Sequence, residues 1–527
     1  MVDIRITGWS RSNDGVVAGA PGWNNWAGKV FLFKGGSGEI DNNPDWTYEC
    51  GQPSSDTGVS ITTGDVNGDG YSDLIVGARS WDSGGYTDTG NVWIFYGGPN
   101  PDNQPDLTLS YVLRSNSYFG YSVASGDVNG DGYSDVIVGQ PCYKPYPSSN
   151  LQGRAYVYYG GNPMDAQPDV TIDVQWYWHS SYNGPYELGF SVASGDVNGD
   201  GYSDVIVGQP DWWWYRGIVT IYYGGDSMNN ARDCVLRLST DNYESGVNSN
   251  YPMLGFSIDT IDLNGDGFDD IVVGAQSWGW NNENLGRVYV FYGSSSLPQE
   301  KYPDLTFVSD LVNGHFGWCV ATGNDFNGDR YPDIAVGTYA WYSSEWSEGK
   351  AWIFWGGPTM DNIPDWTYES NKSDTDFGGS LKSAGDVNGD GYSDLIVGAR
   401  SWDGMYDNTG KVFIFLGGSN MDNQPDFFYE TNRSGANLGY HVSSAANFIS
   451  TDTITFLHEG DTLEKSGLRL LKNGITVLES VGTGPWAAGD PLTITGALGL
   501  NEGDEIKLVY DPTSQIVFQK SLGRPSF

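Results

Sequence analysis

Hydrophobic residues along this chain fall in short runs bounded by turn-forming residues. Typical runs are residues 74–77 (Leu-Ile-Val-Gly), 136–139 (Val-Ile-Val-Gly) and 271–274 (Ile-Val-Val-Gly), and an aspartate precedes each of them. The runs show no helical spacing of apolar positions. Short apolar runs between glycine, asparagine, serine and aspartate are typical of β-strands. The pattern therefore predicts an all-β protein.

Four kinds of strand recur in a fixed order. The first carries Phe/Leu-Gly-aromatic, as in residues 119–123, and the second is apolar and ends in glycine. The third reads Gly-x-Val/Ala-aromatic-x-aromatic, and the fourth follows a Pro-Asp step, as in residues 44–47. Seven copies of the third strand begin at Gly28, Gly90, Gly153, Gly217, Gly286, Gly349 and Gly410. Four strands repeated seven times, in units of about 60–70 residues, predict a seven-bladed β-propeller.

Six units carry an aspartate-rich loop between the first and second strands. The loops cover residues 65–73, 127–135, 196–204, 262–270, 325–333 and 386–394, and follow Asp-x-Asn-Gly-Asp-Gly-x-x-Asp closely. Side-chain oxygens at positions 1, 3, 5 and 9, with a carbonyl at position 7, form a set that suits Ca²⁺. The flanking strands, and the lack of a glutamate at position 12, argue against an EF-hand. The predicted ligands of six Ca²⁺ sites are Asp65, Asn67, Asp69, Tyr71 and Asp73; Asp127, Asn129, Asp131, Tyr133 and Asp135; Asp196, Asn198, Asp200, Tyr202 and Asp204; Asp262, Asn264, Asp266, Phe268 and Asp270; Asp325, Asn327, Asp329, Tyr331 and Asp333; Asp386, Asn388, Asp390, Tyr392 and Asp394.

The fifth loop departs from the others at position 6. It has Arg330 where the other five have glycine. A left-handed backbone at this point costs a non-glycine residue about 1 kcal/mol. We therefore expect the site at residues 325–333 to be the weakest. All six ions are expected to brace the blades rather than to catalyse.

These motifs resemble the FG-GAP repeat, the blade type of integrin α-chain propellers. The Phe-Gly strand, the aspartate loop and a following Gly-x-Pro carry the resemblance, the last at residues 19–21, 139–141 and 208–210. It covers residues 1–446. The resemblance implies that calcium loops lie on the lower face of the propeller and that ligands and partner subunits dock on the upper face.

The first unit lacks a recognisable Phe-Gly strand and aspartate loop, but residues 438–442 (Leu-Gly-Tyr-His-Val) supply the missing strand. We predict that residues 438–444 pair with the N-terminal blade and close the ring, which hides both sheet edges. The alternative is that residues 2–6 form this strand. The predicted domains are a propeller over residues 1–446 and a small β-sandwich over residues 447–527.

A large aromatic residue follows the last glycine of each second strand by four positions. The seven are Trp23, Trp81, Tyr143, Trp212, Trp278, Trp341 and Trp402. They fall in the loops between second and third strands, on the face opposite the calcium loops. Two interpretations stay open: the rings pack against the blades, or they form a platform that stacks on sugars or holds cations.

The C-terminal 80 residues have a different pattern, with about six short strands and a hairpin turn at Asn473-Gly474. Residues 454–463 and 503–511 resemble short motifs of the head domain of archaeal type IV pilins. This resemblance implies a displayed propeller on a surface filament, with self-assembly through the C-terminal domain. The alternative is a generic anchoring domain.

Composition excludes several functions. Lys and Arg total 26 and Asp and Glu total 66, for a net charge of −40, so we expect no nucleic-acid binding. No apolar stretch is long enough to span a membrane, and residues 1–5 do not begin a signal peptide. The four cysteines suggest neither disulfides nor a zinc site.

We therefore predict an extracellular or cell-surface, calcium-stabilised adhesion or display protein that binds a glycan or protein partner and is not an enzyme. The alternative is a secreted, lyase-like polysaccharide enzyme. Its candidate catalytic groups are Arg79, His179, Arg216 and Arg400 in the upper-face loops.

Overall fold

The computed structural model describes most of the first 445 residues and a set of strands beyond them. The described ranges are 14–35, 43–98, 100–111, 114–145, 151–174, 186–211, 216–238, 252–279, 284–309, 312–323, 325–341, 347–358 and 360–445, and, as backbone strands, 3–10 and the strands after residue 451. The chain divides into two compact units. The larger unit comprises Asp14–Tyr96 and Asp102–Ala446.

The larger unit is the predicted seven-bladed β-propeller. In six blades, four antiparallel strands follow one another in sequence order from the central channel outward. Blade 1 consists of Thr57–Gly64, Asp73–Ala78, Asn91–Phe95 and Leu107–Leu109; blade 2 of Ser122–Gly126, Asp135–Gln140, Arg154–Tyr158 and Val170–Asp173; blade 3 of Val192–Gly195, Asp204–Gln209, Ile218–Tyr222 and Cys234–Leu236; blade 4 of Ser257–Ile261, Asp270–Ala275, Arg287–Phe291 and Leu305–Val308; blade 5 of Cys319–Gly323, Asp333–Thr338, Lys350–Phe354 and Trp366–Glu369; blade 6 of Phe377–Gly385, Asp394–Ala399, Lys411–Phe415 and Phe427–Glu430. A short strand, Glu300–Lys301, adds to the outer edge of blade 3 in parallel.

The remaining blade, called the closure blade below, joins the two ends of the propeller sequence. Its inner strand His441–Ser444 pairs with Val16–Ala20, followed by Lys29–Phe33 and Trp46–Glu49. A short turn, Trp23–Trp26, lies in its upper loop, with a left-handed backbone at Asn24, Asn25 and Trp26. The alternative strand at residues 2–6 is not in this blade, because Asp3–Ser10 pairs instead with Asp452–Glu459.

The core lies between neighbouring blades. Second strands such as Asp135–Gln140 are buried at every position, which explains why they are apolar throughout rather than alternating. Their glycines permit close approach of the next blade, since a Cβ on Gly139 would lie 2.1 Å from the carbonyl oxygen of Gly189. One core cluster joins Ile206 and Val219 of blade 3 to Val273 of blade 4. Blade-to-blade packing is thus continuous.

The smaller unit groups Met1–Asn13, Gly97–Pro101 and Asn447–Phe527. One sheet contains Asp3–Ser10, Asp452–Glu459 and Pro491–Gly496, and another contains Ile475–Leu478, Leu468–Lys472, Glu505–Tyr510 and Gln515–Ser521. The short strands Leu463–Glu464 and Pro485–Trp486 pair with each other. The compact units therefore divide the chain differently from the predicted bounds of 1–446 and 447–527, because backbone pairing places the N-terminal strand with the C-terminal sheet. The predicted turn at Asn473-Gly474 lies outside the described residues.

Candidate functional site

In each aspartate-rich loop, side-chain oxygens that are predicted to bind metal accept hydrogen bonds from backbone N–H groups of the same loop. In the first loop, Asp65 Oδ1 accepts the N–H groups of Gly68 (2.7 Å) and Asp69 (3.1 Å), and Oδ2 accepts that of Gly70 (2.9 Å). Asn67 Oδ1 accepts the N–H of Asp69 at 2.8 Å. The same bonds recur in the other loops, for example around Asp386. Six loops therefore share one backbone shape.

The aspartate at position 9 is the buried member of the set. Asp135 is fully buried, and its Oδ2 and Oδ1 accept the N–H groups of Val128 (2.8 Å) and Gly160 (2.7 Å). Burial raises the pKa of Asp135 to about 7, and the nearby Asp131 carboxylate adds to the rise. The same cause raises the pKa to about 7 for its equivalents Asp204, Asp270, Asp333 and Asp394. None of the ion pairs between described residues involves these five carboxylates.

The loop chemistry fits a hard divalent cation. Within the described ranges, no group of three or more His, Cys, Asp or Glu side chains is arranged as a metal site. The carboxylates at position 1 of the loops instead accept hydrogen bonds from backbone N–H groups. The donors are nevertheless all oxygens, and each loop places a buried acid beside further carboxylates. A bound cation would relieve this charge and lower the pKa of the buried acid. The individual ligand roles stay a prediction.

The loops also contact one another around the lower face, which sequence analysis did not anticipate. The N–H at position 8 donates to the position-1 carbonyl of the preceding loop, as from Ser134 to Asp65 (2.8 Å) and from Ser393 to Asp325 (3.0 Å). The aromatic ring at position 7 covers the position-4 glycine of the preceding loop. A Cβ on Gly68 would lie only 2.4 Å from Cε1 of Tyr133. The signal was present in the sequence, as the pairing of glycine at position 4 with an aromatic at position 7.

The closure blade joins this chain of contacts without a loop of its own. The Asp14 N–H donates to the Asp386 carbonyl, and the Asp386 N–H donates to Asp14 Oδ2, both at 3.1 Å. Burial raises the pKa of Asp14 to about 6. Asp14 thus takes the place that position 8 of a further loop would take.

The fifth loop differs from its neighbours at two positions. Arg330 adopts φ +76° and still donates its N–H to Asp325 Oδ2 at 2.7 Å. Pro332 stands at position 8 and has no N–H to donate to the fourth loop. The ring of Tyr331 is also more distant, since a Cβ on Gly265 would lie 3.3 Å from it. The fourth and fifth loops are therefore the most loosely joined pair.

Six of the seven predicted upper-face aromatics are described, and four of them make ring contacts with their own blade. Edge-on ring contacts to the third strand occur for Trp81 (5.1 Å from Trp93) and Trp402 (5.4 Å from Phe413). Trp23 and Trp341 make the same contact with Phe31 and Trp352. No ring contact joins two of the predicted residues within the described part of the chain, and Trp212 lies outside it.

Cations from the same blades cover these rings. The first residue of the third strand places its charge over the ring in five blades: Lys29 over Trp23 (4.8 Å), Arg154 over Tyr143 (3.9 Å), Arg287 over Trp278 (3.1 Å), Lys350 over Trp341 (4.2 Å) and Lys411 over Trp402 (4.4 Å). These contacts favour the packing interpretation of the seven aromatics, although their role in ligand binding stays a prediction.

A second set of aromatics surrounds the upper mouth of the central channel. It consists of the residues directly after the Phe/Leu-Gly pair: Tyr121, Phe190, Phe256, Trp318 and Tyr440. Ring centroids are 5.0 Å apart for Tyr121 and Phe190, and 4.6 Å for Phe256 and Trp318. Sequence analysis named the motif but did not predict that it forms a ring.

Two arginines fill the gaps in this inner ring, where Val59 and Gly379 replace an aromatic residue. Arg79 Cζ lies 5.5 Å from the ring centre of Tyr121 and 5.9 Å from that of Tyr440. Arg400 Cζ lies 5.2 Å from Tyr440 on the other side. Two guanidinium groups therefore contact the aromatic rings at the mouth of the channel. The arginine Nε atoms pair with Asp56 and Asp376, each at 3.0 Å.

The remaining candidate groups are dispersed. Arg216 precedes the third strand of blade 3, and His179 lies outside the described residues. The cysteines Cys50, Cys142, Cys234 and Cys319 are unpaired thiols. Among the described residues, no helix is long and apolar enough to cross a membrane.

Comparison with known proteins identifies the repeats. The family described as FG-GAP repeat matches residues 57–95, 119–158, 188–213, 254–291, 316–354 and 377–415. These matches end at residue 415 and give no support to the pilin-like interpretation of residues 447–527.

Curated relatives include two kinds of protein. A phosphatidylinositol-glycan-specific phospholipase D of Bos taurus is 27% identical over 73% of this chain and 49% of its own length. Integrin alpha-PS2 of Drosophila melanogaster is 30% identical over 54% of this chain and 19% of its own, and integrin alpha-5 of Xenopus laevis is 32% identical over 47% and 23%. The chain thus spans half or less of these relatives.

A solved structure of the rhamnogalacturonan lyase YesW has a TM-score of 0.35 and 13% identity, over 74% of this chain and 64% of that one, a likeness too weak to carry an argument. The six repeat matches, the integrin relatives and the blades agree. The larger unit of this chain is an FG-GAP repeat β-propeller that resembles the propellers of integrin α chains.

Proposed function

We propose that this chain is an extracellular adhesion or display protein that binds a protein or glycan partner through the upper face of its propeller. The observation that carries the proposal is the exposure of large apolar side chains on that face. Of nine such side chains among the described residues, five lie in upper-face loops: Trp26, Tyr86, Val312, Met405 and Tyr406. Exposed apolar groups of this kind are enriched at partner-binding surfaces.

The exposed groups cluster on one side of the ring. Trp26, Tyr86 and Met405 belong to the second-to-third-strand loops of the closure blade and of the two blades beside it, and are 48%, 46% and 78% exposed. Similarity to integrin α chains supports a partner-binding role, and the resemblance to their propellers implies that the upper face is used. An extracellular location agrees with the calcium loops, since sites of this kind suit millimolar external calcium.

A matched pair of surface variants tests the proposal. Beads coated with the chain are applied to cells of its source, and adhesion is measured. The triple variant Trp26→Ser, Tyr86→Ser, Met405→Ser is expected to lose at least tenfold in adhesion. Ile363→Ser removes an equally exposed apolar group from a loop on the calcium-loop side and is expected to adhere as wild type. Equal adhesion by both variants would contradict upper-face binding.

We also propose that the six aspartate-rich loops hold Ca²⁺ and that the chain is not an enzyme. The relative from Bos taurus is named as an enzyme, so catalysis is tested directly. We expect no rise in ultraviolet absorbance when the calcium-loaded chain is incubated with acidic polysaccharides. Growth of unsaturated products would favour the lyase-like alternative instead.

A further inference from the structure

Seven equivalent residues at the upper mouth adopt a left-handed backbone. They stand two positions before the glycine that opens each inner strand, with φ between +49° and +55°: Asp56, Tyr118, Glu187, Met253, His315, Asp376 and Asn437. None is glycine, although this conformation costs about 1 kcal/mol at each residue. The fold therefore presents seven different side chains from one repeated position.

Five of the seven side chains bind to the end of a second strand. Asp56 pairs with Arg79 and Ser80, and Asp376 pairs in the same way with Arg400 and Ser401. Met253 and His315 both contact Gln276, and Asn437 donates to the Arg400 carbonyl. These five side chains therefore have a structural role, since each of them holds the end of a second strand.

The other two are Tyr118 and Glu187, on the consecutive blades 2 and 3. Neither side chain has a hydrogen bond or ion pair with another described residue. Both line one cavity of about 330 Å³, together with Arg79, Tyr121 and Phe190. The two side chains without a hydrogen-bond partner among the described residues therefore line the same cavity.

The cavity offers aromatic walls and both kinds of hydrogen-bonding group. Arg79 binds Asp56 through Nε, and its terminal amino groups make no hydrogen bond with described residues. The rings of Tyr121 and Phe190 contact each other at 5.0 Å and, with Tyr118, supply apolar faces. Glu187 supplies a carboxyl group whose oxygens can accept hydrogen bonds, and burial together with the nearby Asp211 raises its pKa to about 7.

We propose that this cavity binds one uncharged pyranose unit of a glycan. Aromatic faces stack on the C–H face of a sugar, and paired donors and acceptors match vicinal hydroxyls. The charge of Arg79 is balanced by Asp56, and Glu187 faces the same space, which disfavours a sugar carboxylate. The guanidinium disfavours an amine. This inference rests on the proposed upper-face function and names the ligand class for one part of that face.

The test measures binding of the full chain to immobilised, uncharged oligosaccharides of glucose, galactose, mannose and N-acetylglucosamine, beside matched uronate oligosaccharides. Wild type is expected to bind an uncharged member. Tyr118→Ala and Glu187→Gln are expected to weaken that binding at least tenfold. His315→Ala is the matched control, because it changes an aromatic group at the equivalent position of blade 5 and does not line the cavity. Its binding is expected to equal that of wild type.

Melting temperatures show whether each variant folds. If Tyr118→Ala does not fold, Glu187→Gln still tests the site, because glutamine has nearly the same shape as glutamate. No binding of any uncharged saccharide by wild type overturns the inference, as does preference for the uronates or unchanged binding by both cavity variants. Bead adhesion is measured in parallel. If wild type binds no uncharged saccharide but adhesion is lost in the upper-face triple variant, the sugar site is refuted and the proposed function stands. Adhesion that is independent of the upper face refutes the proposed function.

Discussion

Arg330 shows that the loop backbone is imposed by hydrogen bonds and not by glycine alone. It occupies position 6 of the fifth loop at φ +76°, and its N–H keeps the bond to Asp325 that glycine makes elsewhere. The loop tolerates the side chain because position 6 is open. A Cβ on Gly132, Gly201, Gly267 or Gly391 meets nothing within 4 Å. Only backbone strain distinguishes the fifth loop at this position.

We expect Arg330→Gly to raise the free energy of unfolding by about 1 kcal/mol, because it removes left-handed strain from a non-glycine residue. Denaturant unfolding in chelator measures the change. The reverse substitution at the equivalent residue, Gly132→Arg, is the control and should lower stability by a similar amount. Equal stability of all three proteins would show that position 6 carries no strain.

His441 is a half-buried base that lines the central channel. Burial, and then the nearby Lys382 ammonium, lower its pKa from 6.5 to about 4, and its Nδ1 has no hydrogen-bond partner among the described residues. Between about pH 4 and pH 6.5, His441 is therefore protonated in the unfolded chain but neutral in the folded chain. Its contribution to stability is complete above pH 6.5 and falls as pH decreases toward 4.

Relative to His441→Gln, wild type is expected to lose about 2 kcal/mol of unfolding free energy between about pH 7.5 and about pH 5. The comparison isolates His441, since the buried aspartates titrate equally in both proteins. Parallel pH profiles for the two proteins would mean that the histidine is protonated freely in the folded state.

At the scale of elements, the six aspartate-rich loops form a linked series. The position-7 ring of one loop covers the position-4 glycine of the loop before it, and this space is tight at Gly130 but wider at Gly265. Added Cβ atoms would lie 2.5 Å from Tyr202 and 3.3 Å from Tyr331, respectively. Both glycines have nearly the same φ, +76° and +74°.

Alanine substitutions at Gly130 and Gly265 distinguish the cost of steric contact from the cost of backbone strain, because the two glycines have nearly the same φ. Gly130→Ala is expected to cost about 1–3 kcal/mol more than Gly265→Ala, because only the first forces a ring of the next loop to move. Thermal unfolding in calcium measures both variants. Equal losses would show that the loops are independent and that strain alone accounts for the glycines.

The strand order could be predicted from sequence because each blade repeats local signals. Periodic apolar runs, the Pro-Asp step and the aspartate loop lie within one unit of about 60–70 residues. Contacts between units are less visible. The loop-to-loop bonds, the arginines beside Tyr440 and the cations over the outer aromatics join residues that lie on different strands or blades. Arg79 and Tyr440, for example, are brought together only by ring closure.

At the scale of the whole molecule, the net charge of −40 is concentrated partly in the loops of the lower face. Second strands of six residues separate the two faces by about 20 Å, beyond the screening length of about 8 Å in physiological salt. The upper face is therefore largely insulated from the charge of the loops. Calcium should affect stability more than partner recognition.

Removal of calcium is expected to lower the melting temperature, because each loop then holds at least three aspartates without a cation. Binding at ten times the dissociation constant stabilises by about 1.4 kcal/mol per site. Calorimetry in excess chelator and in millimolar Ca²⁺ measures the difference, with Mg²⁺ as a control expected to substitute poorly. An unchanged melting temperature would contradict the calcium sites.

The sequence was enough to predict the class of fold, the number of blades and the position of the loops, because these follow from periodic local patterns whose spacing repeats along the chain. It also predicted that the aromatics after the second strands lie on one face. The three-dimensional arrangement was needed to show that most of those rings are covered by cations of their own blades, and that the N-terminal strand pairs with the C-terminal sheet. It was also needed to find Tyr118 and Glu187 together in one cavity. Such features depend on contacts between residues far apart in the chain, which no local pattern encodes.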